Sequence, residues 1–271
     1  MEPMTDLPMS QPIDQSLVRF AELLADTARQ ITLRHFRCLD VIETKEDATP
    51  VSVADRETER AIRSLISLNY PTHGIEGEEF AATQADSPWL WVIDPIDGTK
   101  SFVTGKPTFG CLIALLYENE PQLGIIDMPA LSERWLGVAG QTTQFNSATC
   151  ATRTTENLSE ATLYATTIDM FAGPQLGIFD SISRRARFRH FGGDCYAYGL
   201  LAAGHVDLVM EAGLKRHDYL ALAPVIKGSG GCISDWRGEP LGRYSGDTVL
   251  ASANQRLHEQ VLAMIRSVQN E

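Results

Sequence analysis

The chain contains Trp91-Val92-Ile93-Asp94-Pro95-Ile96-Asp97-Gly98-Thr99-Lys100, an apolar run that ends in two carboxylates three residues apart and a Gly-Thr turn. Residues 90–93 predict a short buried strand. Pro95 cannot donate a ladder hydrogen bond, so we expect strand pairing to stop there. The turn that follows can bring the carboxylates of Asp94 and Asp97 and the carbonyl of Ile96 to one point. Three oxygens of this kind suit Mg²⁺, a hard cation that keeps some of its water.

The end of this stretch also offers groups to an anion. Gly98 lets the backbone come close to a ligand. If Thr99 opens a helical turn, its free N–H groups favour a phosphate. The alternative is an ordinary solvated turn, because short turns rich in Asp, Gly and Pro are common. The two carboxylates alone leave both interpretations open.

Composition limits the class of protein. With 271 residues, 44% of them hydrophobic and 21% charged, the chain resembles ordinary globular proteins of one large or two small domains. A net charge of −12 argues against binding to nucleic acid or to an anionic membrane surface. The five cysteines are scattered without a C-x-x-C pair, which favours a reducing cytoplasm. We see neither a signal peptide nor an apolar run of the ~20 residues that cross a bilayer.

Hydrophobic patterns predict two parts, residues 1–150 and 151–271, with the boundary in the Ser- and Thr-rich stretch 146–160. The first part reads as α+β: helices at 13–36 and from 52, then an antiparallel meander of strands at 90–93, 111–117, 123–128 and 134–138. The second part reads as α/β, with strands at 161–166, 188–191, 206–211 and 232–235. Helices at 175–185, 196–203, 218–226 and 255–268 alternate with them. This alternation predicts a mostly parallel sheet.

Three segments carry a family resemblance. They are Gly77-Glu78-Glu79, the segment Asp94-Pro95-Ile96-Asp97-Gly98-Thr99, and His217-Asp218-Tyr219 in the C-terminal half. Together they resemble the inositol monophosphatase superfamily of Mg²⁺-dependent, lithium-sensitive phosphatases. The resemblance implies a layered α-β-α-β-α sandwich, a homodimer, two or three Mg²⁺ ions and a phosphate-ester substrate.

A narrower resemblance concerns the second half of the chain. The segments Gly192–Gly199, Gly204–Gly213 and Asp218–Leu222 are similar to the histidinol-phosphate phosphatase branch of the superfamily. This branch would place the protein in histidine biosynthesis. His217 departs from the branch, which usually has an aromatic residue before the metal-binding aspartate.

The resemblance assigns roles to the motif residues. Glu78, Asp94 and the Ile96 carbonyl would share one metal ion, while Asp94, Asp97 and Asp218 would bind a second. Catalysis would fall to Glu78, Thr99 and Asp55: Thr99 would orient the attacking water, and Asp55 would accept a hydrogen bond from Thr99 and assist proton transfer. Asp55 could instead serve only as a helix-start residue. Two further candidates near the metals, Glu79 and Lys45, could equally be solvated.

The substrate residues implied by the resemblance are Gly98, Thr99, Asp194 and Glu211. Histidinol phosphate carries an ammonium and an imidazole, and each could pair with a carboxylate. Inositol phosphate offers hydroxyls alone, so a second acidic residue such as Asp194 favours histidinol phosphate. Asp194 could also act as a helix N-cap, because Gly-Gly precedes it and an apolar helix follows.

Two alternative functions stay open at this stage. The first is a phosphatase for inositol 1-phosphate or for another sugar or nucleotide phosphate. The second is a regulator without catalytic activity, which the intact motif residues and the absence of a basic cluster argue against.

Overall fold

The computed structural model describes residues 13–38, 43–44, 50–51 and 53–269. Its helices are α1 Gln15–His35, α2 Val53–Asn69, α3 Thr99–Val103, α4 Pro174–Ser183, α5 Tyr196–Ala202, α6 Arg216–Tyr219, α7 Leu222–Gly228 and α8 Gln255–Gln269. The first nine strands are β1 Glu43–Thr44, β2 Pro50–Val51, β3 Gly74–Gly77, β4 Trp89–Asp97, β5 Gly110–Tyr117, β6 Glu120–Met128, β7 Glu133–Val138, β8 Gln144–Phe145 and β9 Ala148–Thr149. The others are β10 Thr162–Ala165, β11 Phe188–Phe191, β12 Leu208–Glu211, β13 Cys232–Ser234 and β14 Val249–Ser252.

The first sheet is built around the predicted meander. Within the described residues its strands follow the order β3-β4-β5-β6-β7-β8-β9. Strand β3 pairs with β4 in parallel, and the pairs from β4 to β9 are antiparallel. The meander is therefore confirmed, with the parallel edge strand β3 and the short antiparallel strands β8 and β9 added.

The second sheet differs from its prediction. Its described strands run in the order β11-β10-β12-β14-β13, parallel among the first three and antiparallel from β12 onward. The sheet is mixed rather than mostly parallel, because the sequence pattern missed β14. That strand lies between β12 and β13 and is buried at all four positions, so it has no polar alternation that would mark it.

The layers stack as the resemblance implied. Helices α1 and α2 cover one face of the first sheet through a cluster that includes Leu24, Ile62 and Trp91. Helices α5 and α7 lie between the two sheets, where Tyr198 and Val225 join one continuous core. Helices α4 and α8 cover the outer face of the second sheet. The α-β-α-β-α sandwich is confirmed, whereas the division into two domains near residues 146–160 stays a proposal.

The predicted helix at 218–226 is interrupted. The chain forms α6 up to Tyr219 and begins again as α7 at Leu222. Pro224 lies in the first turn of α7, where its missing N–H costs nothing. In one continuous helix its ring would clash with the carbonyl four residues earlier, which favours the break.

Candidate active site

The segment from Asp94 to Asp97 interrupts the regular pairing of β4 with β5. Pairing with β5 is regular up to Asp94, shifts in register, and resumes at Asp97 opposite Gly110. Within the irregularity the Ile96 N–H donates to Asp94 Oδ1 at 3.1 Å. The predicted stop at Pro95 is thus a local bulge and not the end of the strand, since a bulge accommodates a residue that cannot pair.

Two groups of ligand atoms meet at this bulge. One consists of Asp94, Asp97 and Asp218, and the other of Glu78, Asp94 and His217. In each group, one ligand atom from every residue lies within 4.8 Å of the others. Because Asp94 belongs to both groups, its carboxylate connects two neighbouring positions for cations.

The carboxylates of this cluster repel one another, and a positive charge between them would relieve that repulsion. Burial raises the pKa of Asp94 well above its ordinary value, and the charges of Glu78, Asp97, Asp218 and Asp55 raise it further. Burial, with the charges of Asp194 and Asp218, likewise raises the pKa of Asp97. Carboxylates that repel one another in this way fit a divalent cation, and their oxygen donors are the kind that Mg²⁺ prefers.

The Gly-Thr turn opens a helix as predicted. Gly98 is in the left-handed region, with φ +78°, and α3 begins at Thr99. The Thr99 hydroxyl donates to the Ile96 carbonyl at 3.2 Å. Asp55 lies buried in the first turn of α2, close enough for its charge to act on Asp94. The proposed hydrogen bond from Thr99 to Asp55 stays a prediction.

Asp194 lies directly against the loop from Asp94 to Gly98. A Cβ placed on Gly98 would be 2.7 Å from Asp194 Oδ2, so only glycine fits there. The Ser101 hydroxyl donates to the same Asp194 oxygen at 2.8 Å. The N-cap of α5 is Cys195, without a side-chain capping bond, so the alternative role of Asp194 as an N-cap is wrong.

The segment after Asp194 also holds the loop. The Cys195 N–H donates to Asp97 Oδ2 at 2.6 Å, which ties the second half of the chain to a candidate metal ligand. Burial raises the pKa of Asp194, while Ser101, Lys106 and Lys100 oppose that rise.

Glu211 occupies the end of β12 and is buried. The Thr166 N–H donates to one of its oxygens and the Tyr198 hydroxyl to the other, both at 2.8 Å. Burial raises the pKa of Glu211 to about 7 despite these two donors. A carboxylate has about four lone-pair sites, so both oxygens keep capacity for a ligand.

Asp218 and His217 enter the site from α6. The Lys215 N–H donates to Asp218 Oδ2 at 2.7 Å, and His217 Nε2 lies 3.3 Å from Asp218 Oδ1. Glu78 and His217 also line a cavity of about 810 Å³. Lys215, Arg216 and Arg243 also line this cavity, and the two arginines form ion pairs there with Glu76.

Sequence reasoning missed Glu59, a fully buried carboxylate on α2. It accepts hydrogen bonds from the Glu79 N–H at 2.7 Å and the Phe80 N–H at 3.3 Å, and Arg63 Nε donates to it at 2.7 Å. Glu59 thereby fixes the turn that presents Glu78. Its spacing from Ile62 places a carboxylate on the apolar stripe of α2, and this signal could have revealed it.

Two predicted candidates, Lys45 and Glu79, remain, together with the predictions about membrane segments and cysteines. Lys45 lies outside the described residues, and Glu79 follows Glu78 in the same turn. In the part of the chain that the structure describes, no helix has both the length and the apolar character needed to cross a bilayer. All five cysteines, which fall within the described ranges, are free thiols.

Comparison with known proteins agrees with this arrangement. The chain belongs to the inositol monophosphatase family, whose sequence model matches residues 14–270. It is a phosphomonoesterase of that superfamily, with an acidic cluster suited to metal ions.

Individual relatives have more specific descriptions than the family as a whole. A bifunctional phosphatase of Arabidopsis thaliana, IMPL2, chloroplastic, is 43% identical over 93% of this chain and 77% of its own. A histidinol-phosphatase of Streptomyces coelicolor is 37% identical over 92% of this chain and 96% of its own. The solved structure of an inositol monophosphatase from Zymomonas mobilis superposes with a TM-score of 0.86 at 41% identity, covering 93% of this chain and 98% of that one.

Proposed function

We propose that this protein hydrolyses L-histidinol phosphate to L-histidinol and inorganic phosphate, as a step of histidine biosynthesis. The observation that carries the proposal is the Asp94 carboxylate shared by two ligand groups, with Asp194 packed against the same loop. Relatives named histidinol-phosphatases support the choice of substrate.

The metal ligands would be Glu78, Asp94, the Ile96 carbonyl, Asp97 and Asp218, and the cofactor Mg²⁺ in two or three copies. When bound, such ions supply the positive charge that phosphoryl transfer requires at the oxygens of the phosphate. The buried carboxylates and the bulge in β4 fix where that charge would lie. Positioning is therefore the main contribution of the chain.

Thr99 and its neighbours would handle the attacking water. The Thr99 hydroxyl directs its proton to Ile96, so its lone pairs are available to accept a hydrogen bond from water. Glu78 and Asp55 are the carboxylates we assign to proton transfer from that water. The backbone N–H groups at Gly98 and Thr99 would orient the phosphate. Attack forms one P–O bond and breaks the ester P–O bond, and the leaving oxygen takes up a proton from solvent to give the alcohol.

Asp194 and Glu211 would recognise the organic part of the substrate. The charge of Asp194 raises the pKa of Glu211, so the two carboxylates lie near one another. Two carboxylates in one region suit an ammonium and a protonated imidazole better than they suit the hydroxyls of inositol.

Inositol 1-phosphate is the second candidate substrate. The likeness to an inositol monophosphatase at 41% identity favours it specifically. We further propose a homodimer, inhibition by lithium, and a reducing compartment such as the cytoplasm, the last because all five cysteines are free.

The test is phosphate release from L-histidinol phosphate and from inositol 1-phosphate, measured side by side with Mg²⁺ and with EDTA. We expect turnover that requires Mg²⁺ and favours histidinol phosphate. Asp194→Asn should lose activity selectively on histidinol phosphate, while Asp169→Asn, at an exposed position, should match the wild type. A preference for inositol 1-phosphate would show that the proposed substrate is wrong. Equal turnover with Mg²⁺ and with EDTA would overturn the metal mechanism.

A further inference from the structure

His217 lies among carboxylates that the proposed mechanism already uses. One of its ring nitrogens falls within 4.8 Å of ligand oxygens of both Glu78 and Asp94. Its side chain is only 11% exposed, and it belongs to the short helix α6. The Lys215 N–H that donates to Asp218 fixes the first turn of this helix and with it the position of the imidazole.

An ion pair with Asp218 does not account fully for this placement. The distance from His217 Nε2 to Asp218 Oδ1 is 3.3 Å, longer than the 2.7–2.9 Å typical of a charge-assisted N–H···O bond. Asp218 already accepts the Lys215 N–H through its other oxygen. The imidazole therefore retains the capacity to bind a third partner between Glu78 and Asp94.

The chemistry of this group differs from that of the all-oxygen group beside it. Asp94, Asp97 and Asp218 offer oxygen alone, which suits Mg²⁺. Glu78, Asp94 and His217 offer two carboxylates and one imidazole. Imidazole suits transition metals, and carboxylate also suits manganese, so a mixed set of this kind shifts preference away from Mg²⁺.

We propose that His217 is a direct ligand of the cation held by Glu78 and Asp94, and that this position prefers Mn²⁺ over Mg²⁺. The proposal rests on the metal-dependent phosphatase function proposed above. The cavity of about 810 Å³ lined by Glu78 and His217 gives the cation a route to solvent. This position is therefore the one at which added Mn²⁺ exchanges.

Pulsed electron paramagnetic resonance of Mn²⁺ tests the ligand directly. With one equivalent of Mn²⁺ per chain and Mg²⁺ in excess, the wild type should show the ¹⁴N coupling of a coordinated imidazole. His217→Phe and His217→Gln should both lose that coupling and bind Mn²⁺ about 10-fold or more weakly by calorimetry. His205→Phe removes an exposed histidine and should keep both properties.

The outcomes separate this inference from the proposed function. Absence of ¹⁴N coupling in the wild type, or its persistence in both His217 variants, overturns the inference. Failure of Mn²⁺ to bind under these conditions overturns it as well. Phosphate release with Mg²⁺ alone, assayed on the same wild-type preparation, tests the proposed function independently. Turnover without ¹⁴N coupling would support the phosphatase function and overturn the assignment of His217 as a ligand. Coupling without turnover would support His217 as a ligand and overturn the phosphatase function.

Discussion

Asp94 and Asp127 are two buried carboxylates in one sheet, on the strands that flank β5, and their surroundings are opposite. Asp127 is fully buried, yet Arg29 Nη2 and Arg134 Nε each reach its Oδ1 at 2.6 Å. Asp94 is 2% exposed, and the charges of four other carboxylates among the described residues raise its pKa. In the described part of the chain two arginines neutralise the first charge, whereas further carboxylates surround the second, and we propose that a cation from solution neutralises it.

This comparison distinguishes a structural charge from a functional one. A buried charge is costly unless it is paired, so the packing of further carboxylates around Asp94 is unfavourable unless a cation joins them. Removing one charge should have opposite consequences at the two places. We expect Asp127 to contribute to stability through its partners, and we propose that Asp94 contributes to activity at the expense of stability.

Asp94→Asn should have the largest effect. Because both ligand groups use Asp94, we expect phosphate release to fall on the order of 1000-fold, the loss typical of one preorganised electrostatic group. The metal-free variant should be no less stable than the wild type, since one repelling charge is gone. Steady-state turnover and urea unfolding in EDTA measure the two effects. Turnover within 10-fold of wild type would remove Asp94 from the site.

Asp127→Asn should reverse this result. Breaking a buried ion pair costs about 3–5 kcal/mol, and we expect about 3 kcal/mol because Arg134 retains its pair with Asp26. Urea unfolding checks the loss in free energy of unfolding, and turnover per folded molecule should stay near that of the wild type. An unchanged unfolding midpoint would show that the arginines do not stabilise the buried charge.

The pH dependence of the free energy of unfolding should reveal the cost of burying the Glu211 carboxylate. The folded pKa of Glu211, about 7, is above the ordinary 4.5, so its stabilising contribution is complete below about pH 4.5 and lost as the pH rises through 7. Relative to Glu211→Gln, the metal-free wild type should lose up to about 3 kcal/mol between pH 4.5 and 8, at 1.36 kcal/mol per pKa unit. Chemical unfolding at several pH values measures the difference. Glu160→Gln, at an exposed position, keeps Glu211 and should lose stability with rising pH to the same extent as the wild type.

Glu59→Gln should have the smallest effect of the four. Its loss loosens the turn that presents Glu78 without removing a proposed ligand, so Mg²⁺ affinity should fall about 10–100-fold. Calorimetric titration with Mg²⁺ measures the change. Glu57→Gln is the matched control on the same helix, because Glu57 pairs with Arg34 and His35 instead. Equal affinities in both variants would contradict the role of Glu59.

Much of the fold could be predicted from the sequence because its signals are local. The α1 stripe and the meander strands have clear periodicity, and their observed bounds lie within a few residues of the predictions. The sequence pattern did not predict strand β14, because a fully buried strand of four residues has no polar alternation. Its antiparallel pairing with β12 and β13 depends on contacts distant in sequence, and so the sheet was misjudged as mostly parallel.

The site was partly predictable for a related reason. Asp94 and Asp97 share one turn, so their proximity follows from local sequence, and the motif resemblance added Glu78 and Asp218. No local pattern places His217 beside Glu78, because the two residues come from opposite halves of the chain. The support that Glu59 gives to the Glu78 turn likewise appears only when α2 packs against β3.

The most direct test of the central claim is a Mg²⁺ titration of thermal unfolding for the wild type and Asp94→Asn, each starting metal-free. A ligand that binds only the folded state stabilises it by about 2.7 kcal/mol at 100 times its Kd. We predict that the melting temperature of the wild type rises by several degrees with Mg²⁺ and that the variant does not respond. A wild type without any rise, or an equal rise in both proteins, would contradict the assignment of the Asp94 cluster as the cation site.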